Sequence, residues 1–123
     1  MIGDILNKDI IVTGIGMIGD FGVGKDDFKE FLAAKKPKIK LADINFDDYI
    51  DTGNLRRADP TSLLASVAAK LAVCDANLNF YNAPAERRGI VLGTMHGALG
   101  FTEDYHKDLV LGNPKMVSPL LFS

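Results

Sequence analysis

Two apolar runs interrupt the mixed pattern of this chain. Ile10, Ile11, Val12 and Thr13 form the first, and Ile90, Val91 and Leu92, within Gly89–Thr94, form the second. Both are rich in β-branched residues and show no polar alternation, which is the pattern of strands covered on both faces. Helical periodicities lie around them. Phe28, Phe31 and Leu32 recur at three- and four-residue spacing and predict a helix over Lys25–Lys35 that Pro37 ends. The clearest helix runs from Pro60 to about Ala76, with Asp59 as its N-cap and Pro60 at its first position. Its apolar stripe is Leu63, Leu64, Val67, Ala68, Leu71 and Cys74. Ala65, Ser66, Ala69 and Ala72 lie on the other side, and Lys70 is the only charge in the interior. A helix so poor in charge should be covered on more than one side. A last helix, Leu99–Leu111, stops at Gly112, Asn113 and Pro114. Lys38–Tyr49 alternates like a strand at first and then turns acidic and irregular.

The order strand, helix, helix, strand, helix points to an α/β arrangement. Strands apolar on both faces need sheet neighbours, and two alone leave long edges open. Met116–Phe122 adds another apolar stretch. The pattern therefore predicts that residues 1–123 form one incomplete domain, a truncated product or a unit that docks with another polypeptide.

Composition narrows the function classes. Apolar residues make up 47% of the chain and charged residues 24%, which suits an ordered globular protein. Fourteen basic and 16 acidic residues give a net charge of −2, without the basic field that nucleic-acid binding requires. No apolar run is long enough to span a bilayer, and Met1–Asp9 lacks the form of a signal peptide. Cys74 is the only cysteine, so no intrachain disulfide exists. A cytoplasmic setting is the expectation.

Four features carry candidate chemistry. Gly14, Gly16 and Gly19 match the glycine pattern of dinucleotide-binding loops, with Asp43 available for a ribose. The third glycine should open a helix against the strand, yet residues 20–24 intervene, so a structural turn is the favoured reading. Cys74 sits mid-helix on an apolar stripe, where a buried, inert thiol is expected. Glu103 and His106, with His96 nearby in sequence, have one-turn spacing but lack the further carboxylates of a metal site, so no metal or cofactor is expected. Lys35, Lys36, Lys38 and Lys40 form a small basic cluster, read first as a solvated loop and second as a surface that steers an acidic protein. No Ser-His-Asp or Cys-His constellation has a defensible spacing, so no catalytic residue is assigned.

Three segments, in order, resemble the N-terminal portion of β-ketoacyl synthases. Residues 10–37 are similar to the family's first strand, glycine turn and first helix. Residues 55–78 are similar to its next long helix. Residues 87–123 are similar to the following strand, its Gly-Thr-x-x-Gly turn (Gly93, Thr94 and Gly97) and the Ser-Pro-x-x-Phe segment at Ser118–Phe122. The departures are Gly19 and Asp20 in place of Ser-Pro, Ala98 in place of a second glycine, and a short stretch between Pro37 and Leu55. The resemblance implies the first part of the N-terminal half of a thiolase-like fold, layered αβαβα. It implies condensation of an acyl thioester with a malonyl-carrier thioester, using a cysteine and two histidines. Cys74, His96 and His106 occupy none of those positions, so the chain is expected to be inactive alone. Val117 matches a position that lines the acyl pocket in some members. The implied partners are another ketosynthase chain or the remainder of this one, as a homo- or heterodimer, and an acyl carrier protein. A non-catalytic scaffold subunit and a nucleotide-binding domain are the alternatives.

Overall fold

A computed structural model describes residues 9–55, 58–97 and 99–112. Its order is β1 (Ile18–Gly19), β2 (Gly22–Val23), α1 (Gly24–Leu32), α2 (Pro60–Asp75) and α3 (Leu99–Leu111), with 3₁₀ turns in the intervening segments. The strands form one short antiparallel hairpin, with Ile18 opposite Val23 and Gly19 opposite Gly22. Gly22 has φ +120°, a conformation that favours glycine, and its neighbour Val23 leads directly into α1.

Helix α1 begins where Asp27 reaches back to accept a hydrogen bond from the Val23 N–H at 2.8 Å. The helix presents Phe28 and Phe31 to Phe21 of the hairpin, with ring centroids 4.9 and 6.3 Å away. Leu32, expected on the same face, is exposed. The helix ends before Pro37. Ala34 takes a left-handed φ of 54°, its N–H donates to the Phe31 carbonyl, and the Lys35 N–H donates to the Glu30 carbonyl. That paired arrangement is a Schellman C-cap, which satisfies the last carbonyls without help from proline.

Helix α2 follows the sequence closely. The Asp59 carboxylate accepts from the N–H groups of Thr61 and Ser62 at 2.9 and 3.2 Å, and Pro60 occupies the first turn. Its far end repeats the α1 solution with Asn77 at φ 51°, the Asn77 N–H on the Cys74 carbonyl and the Leu78 N–H on that of Val73. Asparagine tolerates this region better than alanine does. Val67 is the only fully buried hydrophobic side chain among the described residues, so the small core sits on α2. Substituting Asp59→Ala should cost about 1 kcal/mol by leaving two first-turn donors without their acceptor. Faster amide exchange at Thr61 and Ser62, with the distal turns little changed, would check it.

The two apolar runs depart most from expectation. Among the described residues neither Ile10–Thr13 nor Gly89–Thr94 is paired in a sheet. Ile10, Ile11 and Val12 are 74–91% exposed, and Ile90, Val91 and Leu92 are 59–100% exposed. A strand exists only through its ladder, and no described segment supplies one here. The observed architecture is thus mostly helical with a two-stranded sheet. Lys38–Tyr49, whose alternation allows a strand, instead forms 3₁₀ turns at Leu41–Asp43 and Phe46–Asp48.

Candidate functional site

The glycine motif lies on helix α2. A Cβ at Gly14 would come within 2.2 Å of the Ala72 carbonyl oxygen, and one at Gly16 within 1.9 Å of the Ala68 carbonyl oxygen. Ala68, Ala72 and Ala76 recur every four residues and so share one helix face. The segment between the first apolar run and β1 therefore presses its backbone onto a flat alanine face. Glycine is required at both positions because backbone atoms, which cannot rotate aside, fill the space a side chain would need.

Asp75 secures this crossing from the last turn of α2. One carboxylate oxygen accepts the Ile15 N–H at 2.9 Å, and the other pairs with the Lys25 ammonium of α1. Three separated pieces of chain thus meet on one side chain. The Lys25 ammonium, and next the Ile15 N–H, hold the Asp75 carboxyl below the usual carboxylate range. Lys36 and then the Val23 N–H do the same for Asp27, and the Ser62 hydroxyl leads the causes at Asp59. At the other end of α2, the Thr61 hydroxyl donates to the Gly97 carbonyl at 2.9 Å, while the Gly97 N–H donates to Thr94 Oγ1 at 2.9 Å. The helix therefore carries the glycine crossing at its C-terminal part and the Gly97 turn at its start.

The three depressed carboxyls set an acid limit. Each binds its proton more weakly folded than unfolded, so its contribution is complete above the unfolded value, near 3.8, and is lost as pH falls through the folded one. Helix content followed by circular dichroism should hold down to about pH 4 and fall below it. Asp75→Asn should lower helix stability at neutral pH and flatten the acid dependence, without moving the fall to lower pH. An unchanged acid profile would contradict the role given to this clasp.

This geometry revises several sequence expectations. The dinucleotide-loop reading of Gly14, Gly16 and Gly19 does not hold, because α2 fills the approach to the first two and Gly19 lies in the hairpin. No helix starts at the third glycine, and Asp43 lies in a 3₁₀ turn. Cys74, expected to be buried, is exposed, since Gly14 and Gly16 cover a different face of α2. Glu103 pairs with Lys107 at 3.3 Å along α3, and His106 packs edge-on against Tyr105. Two of the four clustered lysines have acidic partners, Lys36 with Asp27 and Lys38 with Asp20 at 2.7 Å, which weakens the cluster's field. Val117 lies outside the described residues. Sequence reasoning misses Asp75 altogether; its partners are 60 and 50 residues away, and no local pattern marks such a contact.

No helix among the described residues is long and apolar enough to cross a membrane. No family profile matches the chain, and no solved structure matches it. Curated relatives do. A 3-oxoacyl-[acyl-carrier-protein] synthase 2 of Staphylococcus aureus strain N315 is 28% identical over an alignment of 135 positions, gaps included, that takes in 92% of this chain. Another Staphylococcus aureus protein of that name is 38% identical over 80 residues, 65% of this chain and 20% of its own length. A Streptomyces halstedii protein described as a polyketide beta-ketoacyl synthase 1 is 32% identical over 123 residues, 86% of this chain and 28% of its own. The match takes in 31% of the length of the first of these relatives.

Proposed function

We propose, from the premise that this chain is homologous to the N-terminal portion of β-ketoacyl synthases, that it forms the first part of the N-terminal half of a carbon–carbon condensing enzyme of fatty-acid or polyketide synthesis. The observation that carries the reading is similarity over 92% of the chain to a protein named as a 3-oxoacyl-carrier-protein synthase. Exposed apolar surface supports the reading. The two apolar runs are exposed, and α2 contacts the glycine crossing that follows the first run and the Gly97 turn that follows the second. In this reading the runs become sheet strands once the remaining ketosynthase polypeptide packs on them, completing a layered thiolase-like fold. The acyl-accepting cysteine and the two histidines come from that polypeptide. Val117 is assigned to the wall of the acyl pocket on resemblance alone. Acyl carrier protein is the substrate donor, and the cytoplasm is the compartment.

Cys74 then has no part in the chemistry. It lies on the exposed side of α2, beside Lys70, Asn77 and Leu78 and away from the glycine crossing. The test is a condensation assay with acyl- and malonyl-carrier thioesters, using this chain alone and together with the remainder of a related ketosynthase. The chain alone should give no 3-oxoacyl product. Where the combination is active, Cys74→Ser should leave the rate within about twofold, the scale of a surface substitution. Product formed by the chain alone and abolished by Cys74→Ser would overturn the proposal.

A further inference from the structure

We draw no further inference here: the strongest candidate, the apolar groove between α2 and the Gly89–Ile90 segment lined by Ala69, Ala72, Val73, Tyr81 and Ile90, belongs to the face already assigned to the rest of the ketosynthase fold, and nothing in the structure shows what else covers it.

Discussion

Gly16→Ala should loosen the glycine crossing strongly, while the same substitution at Gly100 should stabilise the chain. At Gly16 the added methyl would stand 1.9 Å from a carbonyl oxygen of α2 and 2.6 Å from the Ala72 nitrogen. Neither atom can rotate away, so the two segments must separate. Overpacking of this kind costs about 1–3 kcal/mol. Separation would also lengthen the Ile15-to-Asp75 hydrogen bond, one residue away. Gly100 is exposed within α3, with nothing within 4 Å of the position a methyl would take, and alanine there gains roughly 0.5–1 kcal/mol of helix preference. Both changes restrict the unfolded chain equally, so the contrast isolates the folded-state contact. Amide exchange at Ile15 should be about 5- to 150-fold faster in Gly16→Ala, the equivalent of that energy range. Equal protection in the two variants would remove the basis for the close approach.

The helices are legible in the sequence because their signals are local. Asp59 followed by Pro60 marks the start of α2, and the three- and four-residue spacing marks its extent. The whole of Leu99–Leu111 forms as its pattern predicts, and its end is secured by the Gly112 N–H on the Asp108 carbonyl. Ends set by backbone geometry are harder to read. Ala34 adopts a left-handed conformation that alanine seldom takes, and Pro37 points to a boundary that lies earlier. Phe21 has the look of one more residue in a glycine-rich turn, yet it is the ring on which α1 packs. Of the candidate site, the glycines are visible as a motif, but their purpose depends on the alanine face of α2. Nothing in the local sequence joins residues more than 50 apart. The two apolar runs show the opposite case. Their composition demands cover on both faces, and the described residues do not supply it.

The other large effect concerns those runs. Six large apolar side chains in two segments face solvent, while a single hydrophobic side chain among the described residues is fully buried. Full burial of a Val, Leu or Ile side chain contributes roughly 1.5–3 kcal/mol, so covering six would add on the order of 10 kcal/mol, comparable to the whole stability of a domain. The chain by itself should therefore bind hydrophobic dyes and lack a cooperative unfolding transition. Addition of the remainder of a related ketosynthase should suppress the dye signal and restore cooperativity.

Hydrogen exchange at Ile10–Val12 and Ile90–Leu92, read with and without that added polypeptide, reports whether the two runs await cover from another polypeptide. In the chain alone exchange should be fast at both runs, with protection confined mainly to α2, and it should become slow at both once the complex forms. Slow exchange at both runs in a monomeric chain would show that it covers them itself and needs no partner.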